Sequence, residues 1–186
     1  MKKWSKIDWS YYENLINIVS LIGSLGQRSR KGYGNFKIKT NAYFSNREQV
    51  RSVILEKINR LINETQEISE RVSSFEERGE FIERRVKEFK YPTLKKIFVG
   101  ELMSMDDYFK RIAVISKENK DLQKNIFAGF SEESKRYATP IYITCVGSEE
   151  KGRIFPVLAE LSVPTEIEQS KEYEKYIEKF YTQFVF

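Results

Sequence analysis

The sequence predicts an α+β fold, an antiparallel sheet with helices stacked on one face. Two observations lead there. Segments of helical and of strand period alternate along the 186 residues. The strands also fall next to one another in sequence, as hairpins do, rather than in the strand–helix–strand rhythm of a doubly wound parallel sheet. The predicted order is helix, loop, strand, helical insert, strand, helix, hairpin, helix. A split β-α-β module fits it, except that such a module opens on a strand and this chain enters on a helix. One domain over 1–186 with a helical insert at about 46–90 accommodates the length.

The first helix is "SYYENLINIVSLIGSLG". Ser10 and Glu13 have the spacing of a capping box, and Leu15, Ile18, Val19 and Ile22 mark a buried face. Gly23 and Gly26 end it. After the loop, "NFKIKTNAYF" alternates as a strand does. Ser45 and Glu48 form a second capping box, ahead of apolar positions Val50, Ile54, Ile58, Leu61, Ile62, Ile68 and Val72. Ser73, Ser74 and Gly79 interrupt this helix, and a second one running to about Phe89 and stopped by Pro92 completes a helical hairpin. "KIFVGELM" is a short strand. The helix after it carries Asp106 and Asp107 in its first turn, where they suit the macrodipole. "TPIYITCVG" and "RIFPVLAELSV" form a hairpin across "SEEKG". Thr165 and Glu168 open the last helix, whose inner face is Ile167, Tyr173, Ile177, Phe180 and Phe184.

Composition narrows the chemistry. The net charge is +5, but residues 1–60 alone hold 12 Lys/Arg against 4 Asp/Glu, and the rest is net acidic. A basic end favours polyanionic partners. The single cysteine, Cys145, excludes an internal disulfide, suits a reducing cytoplasm, and reads as a buried inert thiol on a strand. The absence of histidine removes the commonest general base and metal ligand. The longest apolar run, "LINIVSLIGSL", is too short for a membrane span. The expectation is a cytoplasmic protein with no membrane partner, no metal and no cofactor.

The positive excess surrounds "GSLGQRSRKGYGNF", Gly23 to Phe36, where four of the nine glycines lie. Its setting after a helix and before a strand excludes a dinucleotide fingerprint, and it lacks the Gly-Lys-Ser/Thr ending of a Walker loop. Glycines without Cβ let a phosphate chain approach the backbone N–H groups. Arg28, Arg30 and Lys31 can neutralise phosphates, and Tyr33 and Phe36 can stack unpaired bases. A solvated helix-to-strand turn is the alternative at this level.

This stretch resembles the glycine-rich loop of the RAMP superfamily of CRISPR-associated RNA-binding proteins, most of all the first-subunit family of the type III-B (Cmr) module. The family form is Gly-Gly-Leu/Ile-Gly-x-Arg-Ser-Arg-Arg-Gly-Phe-Gly-Ser. Gly23, Leu25, Gly26, Arg28, Ser29, Arg30, Gly32 and Gly34 match it, while Ser24, Lys31 and Tyr33 depart from it. Lys31 keeps the charge but loses the bidentate fork. "RYATPIYITCVG", from Arg136, is similar to a second family segment, with Thr139 in place of a serine. The resemblance covers the C-terminal half of a usual member. It implies a ferredoxin-like (RAMP/RRM-like) domain without its first strand, and a non-catalytic subunit of an effector ribonucleoprotein. The implied RNA contacts are Gly26, Arg28, Ser29, Arg30, Lys31, Gly32, Tyr33 and Gly34. The implied partners are single-stranded guide or target RNA, other type III-B subunits and, unless the N-terminal ferredoxin-like half belongs to a longer form of this chain, a separate chain supplying that half. A missing strand also predicts an unpaired sheet edge or apolar patch.

Two other functions fit the residues. A guide-RNA-processing ribonuclease would have to use Tyr33 and Lys31 as acid and base in place of histidine. An assembly protein without RNA contact would dock through the helical hairpin at 46–90. Glu76–Glu77 and Glu149–Glu150 read as solvated surface.

Overall fold

The computed structural model describes residues 9–23, 36, 43–64, 74–85, 93–121, 140–163 and 168–185. In chain order these form α1 (Trp9–Ile22), α2 (Arg47–Glu64), β1 (Phe75–Arg78), β2 (Phe81–Arg84), β3 (Leu94–Val99), β4 (Met103–Ser104), α3 (Met105–Asp121), β5 (Ile141–Gly147), β6 (Arg153–Leu161) and α4 (Lys171–Val185). The fold is α+β: an open antiparallel sheet and, among the described residues, four helices.

The sheet runs β1-β2-β3-β6, and β5 lies along the other edge of β6. β4 continues β3 along the same side of β6. Val99 faces Val157, Gly100 N–H donates to the Pro156 carbonyl at 2.8 Å, and Met103 faces Ile154. β6 is thus the central strand. Its residues from Ile154 to Glu160 are buried without a break, which requires cover on both faces.

Both faces are covered, and this corrects the expectation of helices on one face only. α1 and α2 close one side over Ile97, Val99, Val146, Phe155 and Val157. α3 and α4 close the other over Phe98, Ile141, Ile143, Ile154 and Leu158. Alternate residues of β6 feed the two layers, as the two-residue period of a strand requires.

The helical insert is also corrected. α2 ends at Glu64, residues 65–73 lie outside the described residues, and 75–84 is a β-hairpin. Gly79 adopts φ +56 at its turn, a backbone conformation that glycine reaches without a Cβ clash. Glu76 faces Glu83 across the hairpin. Each carboxylate is offset by cations: Arg78 and Arg85 on Glu76, Lys96 on Glu83. α2 pairs the Phe75 end of the outer edge of β1: the Asn59 carboxamide donates to the Phe75 carbonyl at 3.0 Å and accepts from the Phe75 N–H at 2.9 Å.

Helix starts shift by small amounts. Ser10 lies inside α1 rather than ahead of it. α2 is capped by Asn46, whose Oδ1 accepts from the Gln49 N–H at 2.8 Å, while Gln49 reaches back to the Ser45 N–H; this is the reciprocal logic of a capping box, one residue late. Ser104 caps α3 and also donates to Asp107. Ser170 caps α4, and Thr165 lies outside the described residues. In α4, Tyr173, Phe180 and Phe184 are buried as expected, Tyr176 joins them, Ile177 is half-buried, and Ile167 lies outside the described residues. Cys145 is half-buried on β5 rather than sealed.

The buried face of α1 differs most from the sequence reading. Asn14, Asn17, Ile18, Ser20 and Leu21 are buried, while Leu15, Val19 and Ile22 are only half-buried. Asn14 Nδ2 donates to the Lys57 carbonyl of α2 and Ser20 Oγ to the Asn17 carbonyl. Asn14 thus ties α1 to α2, the Ser20 bond stays within α1, and Trp9, Tyr12 and Ile16 are exposed.

Candidate functional site

Gly26, Arg28, Ser29, Arg30, Lys31, Gly32, Tyr33 and Gly34, the residues assigned to RNA contact, lie outside the described residues, as does the Arg136–Thr139 part of the second matched segment. The flanks of the loop are described. On one side Gly23 closes α1, donating its N–H to the Val19 carbonyl at 2.8 Å. On the other side Phe44 lies beside the end of β5. Its N–H donates to the Gly147 carbonyl at 3.2 Å and its carbonyl accepts from the Glu149 N–H at 3.0 Å. Leu21 and Phe44 are buried in the same apolar layer, so both ends of the segment are fixed to the sheet. Tyr43 stays 56% exposed. Its ring lies on Gly147, where an added Cβ would come within 3.0 Å of it.

Most charges of the described body are matched among themselves. Arg47 pairs with Glu80 and Glu101, Arg60 with Glu64, and Arg153 with Glu150. Eight of the 12 basic residues in 1–60 (Lys2, Lys3, Lys6, Arg28, Arg30, Lys31, Lys37 and Lys39) belong to the segments around α1 and the loop that are not described.

A second feature was not foreseen. A cleft of about 750 Å³ opens between the sheet and α4, lined by Phe81, Lys95, Lys96, Glu160, Glu168, Tyr173 and Tyr181 among others. A register shift between Leu94 and Lys96 makes Lys95 a bulged residue. A bulge re-aims a side chain, and here it turns Lys95 toward Glu160. Glu160 is 2% exposed. It accepts from Lys95 Nζ at 2.8 Å, the Tyr181 hydroxyl at 2.6 Å and the Tyr173 hydroxyl at 3.3 Å. Lys95 also reaches Glu168 at 2.5 Å. Burial opposes the ammonium charge, but Glu160 and Glu168 outweigh it and raise the Lys95 pKa. Burial, reinforced by the Glu160 charge, pushes both tyrosines far above the usual phenol range. Near neutral pH all three donors keep their protons. The cluster locks β6 to β3 and α4 around the buried Glu160. The available signal was a lone acid inside "FPVLAEL", since a buried carboxylate must find donors.

No protein-family model, curated protein or solved structure matches the chain. Among the described residues, no three His, Cys, Asp or Glu side chains converge as metal ligands. No described helix is long and apolar enough to cross a membrane.

Proposed function

We propose that the chain is a non-catalytic RNA-binding subunit, or half-subunit, of a type III-B CRISPR effector ribonucleoprotein. The basic glycine-rich stretch 23–36 is its contact with the guide or target RNA backbone. The observation that carries the reading is the anchoring of this stretch. Leu21 before it and Phe44 after it are both buried in one apolar layer of the sheet, so the chain's basic excess issues from a fixed base. The residue order that resembles the RAMP loop supports it, and the open antiparallel sheet is compatible with a ferredoxin-like domain.

The test is anisotropy of a labelled single-stranded RNA against salt. Affinity falls as salt rises, because displaced counterions are released on binding. Replacing Arg28 and Arg30 with Ala flattens the log–log salt slope by about 1.4 and leaves the circular dichroism spectrum unchanged. An unaltered affinity and slope would remove the loop from the contact.

A further inference from the structure

The cleft of about 750 Å³ between the sheet and α4 has an acidic balance. Four carboxylates, Glu160, Glu168, Glu174 and Glu178, line it with two ammoniums, Lys95 and Lys96. Lys95 is engaged by Glu160 and Glu168. Lys96 pairs with a fifth carboxylate, Glu83 on β2, at 3.0 Å. Glu174 and Glu178 are exposed one turn apart on α4. Like charges at that spacing repel, and a cation between them relieves the repulsion. The lysines of α4, Lys171, Lys175 and Lys179, are exposed and stand outside the lining.

The opposite wall shows what kind of cation fits. The Phe81 and Tyr181 rings meet edge-on with centroids 5.1 Å apart. Lys96 Nζ sits 4.2 Å from the Phe81 centroid and 5.9 Å from that of Tyr181. An ammonium is therefore already seated on this wall, attracted by the rings and by Glu83. Ile177 adds apolar lining beside the glutamates of α4. A hydrated metal ion gains nothing from rings and alkyl surface. A methylene chain bearing ammonium groups uses carboxylates, rings and alkyl surface together. Positions 174 and 178 are about 6 Å apart along the helix axis, and ammonium groups on a short methylene chain repeat on that scale. The volume is that of a small-molecule site.

We infer that this cleft is a binding site for a linear polyamine. Glu174 and Glu178 take ammonium groups at one end, and the Phe81–Tyr181 wall takes another. Lys96 is the built-in occupant of that wall, which the guest displaces. The site lies in the layer of α3 and α4, whereas the stretch 23–36 is anchored in the layer of α1 and α2. The polyamine site and the RNA-binding reading therefore stand or fall separately.

Spermidine is titrated calorimetrically into the full chain, freed of nucleic acid, at fixed ionic strength. The wild type binds it saturably. Glu174→Gln/Glu178→Gln weakens binding about tenfold, because two ion pairs are lost. Lys96→Met vacates the aromatic wall and removes a repelling charge, so it tightens binding about threefold. That gain cannot come from a damaged fold, since the substitution removes the chain's own ion pair to Glu83. Circular dichroism checks that both variants are folded. Absence of binding by the wild type overturns the site. So does an affinity that either variant leaves unchanged. Displacement of spermidine by magnesium ion at equal charge would reduce the cleft to general cation screening. Tighter binding of oligolysine than of spermidine would make it a groove for a basic peptide. Either result overturns the polyamine assignment.

Discussion

Glu160 organises its surroundings through three donors of different kinds, an ammonium and two phenols. Its effect is readable as a pH dependence. Tyr173 and Tyr181 are held protonated in the fold, so above their ordinary pKa of 10.0 the unfolded chain loses protons that the folded chain keeps. Stability therefore rests on a plateau below pH 10 and falls above it. The slope is about 1.4 kcal/mol per pH unit for each tyrosine that stays protonated. Urea melts from pH 8 to 11.5 measure it, and Tyr181→Phe makes the alkaline fall shallower. An unchanged slope in that variant would mean Tyr181 titrates normally. A residue-level reading of sequence could flag Glu160 as an acid in an apolar run. It could not find Lys95, whose aim depends on a one-residue slip in register against β6.

The hairpin of β1 and β2 shows how an element escapes its local signals. "FEERGEFIER" is rich in Glu and Arg, which are good helix formers, and its hydrophobic positions are few. Pairing with β3 and the cross-strand ion pairs decide for strand instead. The signal that was present is Gly79 between two four-residue runs. The capping of α2 was nearly legible, since Asn46 and Gln49 sit one place beyond Ser45 and Glu48 and compete on equal chemical terms. A prediction belongs at this scale. Asn59→Ala removes both hydrogen bonds at the Phe75 end of the β1 edge and leaves the Phe75 groups unpaired, at a cost of about 1–3 kcal/mol. Asn59→Asp keeps the acceptor but not the donor and falls between the two. Chemical denaturation ranks the three proteins, and hydrogen exchange at the Phe75 amide rises most in the alanine variant. Equal stabilities would show that the edge does not depend on Asn59.

Across the whole molecule, β3, β5 and β6 each contribute to two apolar layers on opposite faces of the sheet. Phe155 belongs to the layer under α1 and α2, and Leu158 to the layer under α3 and α4. Because the same strands feed both, the layers should melt together. Phe155→Ala is expected to cost about 3–5 kcal/mol and Leu158→Ala about 2–5 kcal/mol. In each variant the far-ultraviolet and aromatic signals should move through one coincident transition. Two separated transitions would show independent layers. The α+β class and most element types were legible from periodicity. The second helical layer was not foreseen, although the unbroken apolar run of β6 announced it. The RNA loop remains a reading of residue order, since its residues fall outside those described.

The fixing of Gly23 and Phe44 to the body has a consequence for how this protein can vary. When both ends of an excursion are held by a folded core, lengthening it costs only about 0.6 kcal/mol per doubling. The chain between them can then change in length and charge while the hydrogen bonds of Phe44 to Gly147 and Glu149 stay as they are. In engineering terms the two anchors are a cassette socket, into which segments of other length or charge could be placed without redesigning the sheet that carries them.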